Sequence, residues 1–205
     1  MQVISAGIAV SSLSLLFWRG RKLGRREREV LADRRYGPPW AGLLRGATYF
    51  RDLLWIVTFL LIITVAVSPS VILGNTLTIK FPLDSYVQGI GLLLWLAGVS
   101  LMLWASTAIR EYATEQILIS KNQPLIQTGP YAKTRHPIYG GALVIGLGLF
   151  LFYLNLLFLL FAVTRFIVDV YRAREEEKLL TSPEGFGQQY VEYRKRTRMF
   201  IPYVL

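Results

Sequence analysis

Residues 138–171 form one long apolar run with few polar interruptions, and it restricts the possible folds more than any other segment. A single straight helix of that length would measure about 50 Å, against a bilayer hydrocarbon core of about 30 Å. The run must therefore fold back on itself. Tyr153-Leu154-Asn155 lies at its middle, and the expected arrangement is two helices in a tight hairpin turning near Asn155. The second helix carries Arg165 and Asp169 at i,i+4 spacing. Charges inside a span face a partner or a polar cavity, and the simpler alternative is an intrahelical pair near the interface.

Three further apolar segments precede the hairpin, at residues 2–18, 53–73 and 86–109. No basic residue precedes the first and no small-residue cleavage pattern follows it, so it reads as an uncleaved span. Gly89 and Gly91 sit inside the third, with no strand before them, which points to close helix packing. The expected fold class is all-α, a polytopic membrane protein with about five transmembrane helices and no Rossmann domain. The hydrophobic fraction of 53% and mean hydropathy of +0.42 agree with that class. Residues 19–52 hold ten of the 23 Lys and Arg residues. The positive-inside rule makes that loop cytoplasmic and puts the N-terminus outside. Both ends of the hairpin and the basic C-terminal segment then fall on the same cytoplasmic side. The net charge of +10 is assigned to anionic lipid and not to nucleic acid. Residues 183–205, with Phe186, Tyr190 and Tyr193 at near-helical spacing, read as a short amphipathic helix on the membrane or capping the domain. The whole reads as one domain, 1–205, in which 1–109 supports and 110–205 carries the chemistry.

The chain has no Cys and one His, so no metal site is expected. It also lacks a P-loop, a GxSxG elbow and an HExxH pair. What remains is a polar loop, Gly129-Pro130-Tyr131-Ala132-Lys133-Thr134-Arg135-His136-Pro137-Ile138-Tyr139-Gly140-Gly141, and the segment Arg172-Ala173-Arg174-Glu175-Glu176-Glu177 past the hairpin. Arg172 and Glu176 share a helix face. An Arg can clamp a carboxylate through two parallel bonds, and a Glu can hold an ammonium. Tyr131 and Tyr139 offer π-faces to a cation or a base. Such a set suits a zwitterionic, cationic, aromatic cofactor. His136 could instead orient the helix entrance, and Arg135 could be structural or an anion contact. Apart from one that faces inward, the glutamates 175–177 read as a solvated charge run.

These two segments resemble the isoprenylcysteine carboxyl methyltransferase family and its phospholipid methyltransferase relatives. The matching text is Gly129-Pro130-Tyr131, Arg135-His136-Pro137-Ile138-Tyr139-Gly140-Gly141, Asn155 at the turn, Glu176-Glu177-Lys178-Leu179-Leu180, and Phe186-Gly187-Gln188-Gln189-Tyr190-Val191-Glu192-Tyr193. The resemblance covers roughly residues 116–202, and the first three spans match only as hydrophobic segments. It implies S-adenosyl-L-methionine as methyl donor, with S-adenosyl-L-homocysteine as product. The implied cofactor contacts are Gln116, Gln123, Pro124, Leu125, Ile126, Tyr131, His136, Pro137, Ile138, Tyr139 and Glu176, and Arg172 is the implied substrate-facing catalytic residue. The link Thr181-Ser182-Pro183-Glu184-Gly185 is about two residues longer than the family's.

The implied activity is methyl transfer to a lipophilic acceptor at the cytoplasmic membrane face, foremost carboxyl O-methylation of an isoprenylcysteine-like substrate. A carboxylate is ionised near pH 7 and needs only a clamp, whereas an amine acceptor must first lose a proton, to Glu177 or His136. Phospholipid N-methylation is the first alternative. An NADPH-dependent sterol-type reductase, which has a loosely similar Arg-His-Pro segment, is the second, and a non-enzymatic scaffold the third. The expected location is the inner membrane of a prokaryote or the endoplasmic reticulum membrane of a eukaryote, with membrane lipids and a lipophilic or prenylated substrate as partners.

Overall fold

A computed structural model describes residues 2–11, 41–109, 112, 119 and 123–202, with side chains described from residue 45 onward in the second segment. The basic stretch 12–40, Gln116 and the end of the chain from 203 lie outside these residues. The described elements are α1 (Gln2–Ser11), α2 (Ala41–Val67), α3 (Pro69–Leu73), α4 (Asp84–Ile109), a 3-10 turn (Gly129–Ala132), α5 (Pro137–Tyr153), α6 (Leu156–Thr181) and α7 (Gln188–Arg196). Only two isolated bridges, and no strand, occur among the described residues.

Two helical stretches, Arg45–Val67 and Asp84–Ile109, are long and apolar enough to cross a membrane. Only 22% and 17% of their most apolar windows are buried inside the protein. Leu53, Ile56 and Leu60 of α2 and Ile90, Leu93 and Leu96 of α4 are exposed. Exposed apolar faces of this extent suit a lipid surrounding. α1 and α5 are shorter apolar helices, and α6 leaves the apolar run to end in a charged segment. α2 begins at Ala41, a dozen residues before the expected start at 53. The loop expected over 19–52 is therefore helical in its last part. Ala41, Leu43, Leu44 and Ala47 are good helix formers, and Pro38-Pro39 lies before them. Arg51, buried within α2, donates through Nε and an η nitrogen to Asp52 at 3.0 and 2.8 Å.

α5 and α6 are the two arms of the hairpin, joined by Leu154 and Asn155 alone. Leu154 takes the left-handed conformation, φ 47°, that closes α5. A β-less glycine would do so without strain, but Leu154 is held by the bond from Ile79 N to its carbonyl at 2.7 Å. Asn155 is fully buried and caps α6, its side-chain oxygen accepting from Leu157 N at 3.0 Å. Its amide donates to the Ile72 carbonyl at 3.0 Å and to the Thr78 hydroxyl at 2.9 Å, tying the turn to the α3–α4 connection. Asn155→Ala removes the cap and strands those acceptors. It should cost about 2–4 kcal/mol, read as a lower thermal midpoint in detergent. Asn155→Asp should recover only the cap. An unchanged midpoint in the Ala variant would refute the locking role.

α4 and α5 pack backbone to backbone. A Cβ on Gly91 would come within 2.3 Å of Phe152 N, and one on Gly148 within 2.5 Å of Trp95 N. The packing role expected for Gly91 is thus seen, whereas a Cβ on Gly89 would meet nothing within 4 Å. Near the turn, Ile62, Val65, Ile72, Trp95, Leu149, Phe152 and Phe158 form the main apolar core, joined by Ile8 of α1. The polar side chains gather at the opposite end.

Candidate active site

At that polar end the loop 129–136 enters α5, and the last two turns of α6 pass beside it. Gly129, φ +60°, turns the chain under the Trp104 indole, and Pro137 starts α5 at its first position. The loop is fixed from the C-terminal side. Tyr193 of α7 donates its hydroxyl to the Tyr131 carbonyl at 2.6 Å and to the Thr134 carbonyl at 3.2 Å. Residues 198–199 then run alongside: Arg135 N donates to Arg198 O at 2.8 Å and His136 N to Met199 O at 2.9 Å. The longer link after α6 does not prevent this docking. It is absorbed in turns at 182–187, with Gly187 at φ +52°. The regular helix expected over 183–205 is consequently confined to Gln188–Arg196.

The glutamates 175–177 are not a solvated run. Glu177 is 5% exposed and is the centre of a buried charge cluster. It accepts from Arg135 Nε at 2.6 Å, lies 3.2 Å from His136 Nε2, and has Arg194 Nε at 3.5 Å. Arg135 also donates to the Thr197 carbonyl at 2.5 Å. Burial alone would raise the Glu177 pKa. The bonds from His136 and Arg135 outweigh it and hold the carboxyl below its ordinary 4.5. Glu175 is also buried, and pairs with Lys178 at 2.6 Å. Arg135 is therefore structural. Its role was legible only as one of two options, because its partner lies 42 residues away.

Glu176 is different. Its side chain is 32% exposed, with Tyr139 donating to it at 3.3 Å and His136 Nδ1 at 3.7 Å. The His136 ring stacks on Tyr139, centroids 5.5 Å apart. Tyr131 is 7% exposed; burial first, then the Glu176 charge, push its phenol well above the ordinary range. The structure therefore brings His136 and Tyr139 to the Glu176 carboxylate, with the buried Tyr131 phenol within reach of its charge. Arg172, one turn before Glu176, is 2% exposed and donates to the Thr48 hydroxyl of α2. Pro137 is buried and Ile138 half-buried in the first turn of α5. Gln123, Pro124, Leu125 and Ile126 lie in an irregular segment ahead of the 3-10 turn.

An apolar cleft lies between α2, α5 and α6, along the middle of the hairpin. It is lined by Trp55 and Thr58 of α2, Ile145 and Leu149 of α5, and Phe161 and Arg165 of α6, among others. Arg165 is the charged member of the lining. It donates to Asp169 at 3.0 Å and lies over the Trp55 ring, 4.4 Å from the centroid. The i,i+4 pair is thus intrahelical, and it also borders a cavity.

The donor set is a half-open carboxylate, phenols and a buried guanidinium. It fits a ligand carrying both an ammonium and a carboxylate. The family model described as "Phospholipid methyltransferase" matches residues 87–185. A protein-S-isoprenylcysteine O-methyltransferase of Saccharomyces cerevisiae is 36% identical over 83 residues, which is 39% of this chain and 33% of that protein. The matched region thus spans about a third of the length of the curated relative. The solved structure of the eukaryotic intramembrane Ras methyltransferase, isoprenylcysteine carboxyl methyltransferase, superposes with a TM-score of 0.60 at 19% identity. It covers 99% of this chain and 68% of that one. The chain is thus similar in sequence to these methyltransferases over part of its length, and in fold to the solved structure over nearly all of it. The likeness explains the hairpin and the loop together, since both lie in the matched region. The neighbour is described as intramembrane, and two helices of this chain are long and apolar enough to cross a membrane.

Proposed function

We propose that the chain is an S-adenosyl-L-methionine-dependent methyltransferase acting on a lipophilic acceptor at the membrane surface, foremost on the carboxylate of an isoprenylcysteine-like molecule. The observation that carries this reading is Glu176, a carboxylate left half-open between Tyr139 and His136, with Arg172 buried one turn before it. Glu176 would hold the cofactor's ammonium, and the phenols would pack against its sulfonium and base. The bound cofactor supplies a methyl group activated on sulfur. Arg172 would clamp the acceptor carboxylate. The site would face the cytoplasm if the basic segments obey the positive-inside rule.

The choice of a carboxylate acceptor has support in the cluster around Glu177. Both bases named for amine methylation, Glu177 and His136, are engaged with each other, and Glu177 is further bound by Arg135. A second reading, amine N-methylation, draws on Asp169, which is 1% exposed with Oδ1 unbonded among the described residues. Labelled methyl transfer to a lipid extract followed by mild base separates the two. An ester releases methanol, whereas an N-methyl product survives.

Binding of S-adenosyl-L-homocysteine by the purified protein tests the site itself. Glu176→Ala should weaken it about 10- to 100-fold, since it removes a charge-assisted bond worth roughly 1.5–3 kcal/mol. Tyr131→Ala should also weaken it, by about tenfold. Unchanged affinity in both variants would refute the assignment. A thermal shift with NADPH alone would favour the reductase reading, and a shift with neither ligand the scaffold.

A further inference from the structure

α2 belongs to the part of the chain expected only to support the site, yet it touches the candidate clamp. Thr48 of α2 accepts from Arg172 of α6, and Trp55 of α2 lies under Arg165 of α6. Seven residues separate Thr48 from Trp55, and seven separate Arg165 from Arg172, in reversed order. The two helices therefore run antiparallel and in step. Seven residues make about two turns, so both contacts fall on one face of each helix. The same face of α6 carries Asp169 and Glu176, three residues before Arg172 and four after it. On α2, Thr48 is half-buried and Arg51 buried, whereas Tyr49 and Phe50 between them are exposed.

The Thr48 contact differs in kind from those of Arg51, Arg135 and Arg165. Each of these donates to a carboxylate, of Asp52, Glu177 and Asp169 respectively. The group that α2 offers to Arg172 is a hydroxyl. A hydroxyl oxygen fixes one guanidinium N–H without cancelling the positive charge. A guanidinium has five donors, so one can rest on Thr48 while two parallel N–H groups address a carboxylate. Thr48 is itself stiff, because a β-branched side chain on a helix has few χ1 choices. Small displacements of a positioned group cost large factors in rate, so a stiff hydroxyl is a suitable stop for a long side chain.

We propose that Thr48 is a positioning residue of the reaction, its hydroxyl accepting from Arg172 and holding the guanidinium that clamps the acceptor carboxylate. The assignment rests on the functional reading above, and the experiment keeps the two apart. Turnover of a synthetic prenylcysteine and titration of S-adenosyl-L-homocysteine would be compared across wild type, Thr48→Val, Thr48→Ser, Arg172→Ala and the double variant Thr48→Val/Arg172→Ala. Valine keeps the branched shape and removes only the hydroxyl. Thr48→Val is expected to lower kcat/KM about tenfold and to change the affinity for the cofactor product by less than about twofold. Thr48→Ser, which keeps the hydroxyl, should retain most of the wild-type rate. In the Arg172→Ala background Thr48→Val should cost nothing further, because the group it positions is gone. Wild-type turnover in Thr48→Val, a Thr48→Ser variant as slow as Thr48→Val, an undiminished further loss in the double variant, or a parallel loss of cofactor-product affinity would each overturn this assignment and leave the functional reading standing. If wild type methylated no prenylcysteine, the reading of a carboxylate acceptor would fall, and this assignment with it.

Discussion

Glu177→Ala is expected to destabilise the protein by about 3–5 kcal/mol, the usual cost of removing one member of a buried charge cluster. Arg135 and His136 would be left with side chains 9% and 5% exposed and no carboxylate between them. In a detergent-solubilised melt the midpoint should fall by on the order of 10 °C. The double variant Glu177→Ala/Arg135→Met should recover part of the loss, because it removes an orphaned cation along with the anion. If the single variant melts like wild type, the loop and α6 are not joined through Glu177. A pH dependence follows as well. The folded-state pKa of Glu177 lies below its unfolded value, through the His136 and Arg135 bonds acting against burial. Its stabilisation is therefore complete above the ordinary 4.5 and is lost as pH falls through the lower folded value. Wild type should lose stability over that acid range more steeply than Glu177→Ala. Equal slopes would show that the carboxyl titrates alike in both states.

Arg172→Ala should lower kcat/KM for a lipophilic acid on the order of 10²-fold or more, while S-adenosyl-L-homocysteine affinity changes by no more than about threefold. The expectation rests on the position of Arg172. It is buried one turn from Glu176, between the carboxylate site and α2, where it donates to Thr48. Arg172→Lys should rescue little, because an ammonium cannot reproduce the two parallel bonds of a guanidinium. The measurement pairs turnover on a synthetic prenylcysteine with titration of the cofactor product. A parallel loss of both would move Arg172 to the cofactor side of the site.

The two variants probe parts of the site that were unequally legible in the sequence. The hairpin could be anticipated because residues 138–171 are too long for one crossing and carry a polar break at Asn155. The pairing of the loop with the Arg172–Glu177 region rested on resemblance, and the structure gives it a geometry through the Tyr139–Glu176 and His136–Glu177 contacts. The glutamates were misread because successive helical residues point about 100° apart. Spacing shows that three adjacent side chains diverge, but not which one meets a neighbour. Thr48 carried no signal in the sequence, since its link to Arg172 exists only in the folded chain. The run of residues 198–199 beside the loop was equally invisible, for main-chain bonds can be made by nearly any residue.

The amino-acid order alone determined the lengths of the apolar stretches, the segregation of basic residues away from them, and the need for a reversal near Asn155. Those follow from local properties, namely the hydrophobicity of each side chain and the thickness of a bilayer. Tertiary structure alone decided that Glu177 is locked and Glu176 half-open. The side chains of residues 135, 136 and 194 converge on Glu177 from two other segments of the chain. Because Coulombic and hydrogen-bonding energies depend on distance in space, neighbours in sequence can meet opposite fates.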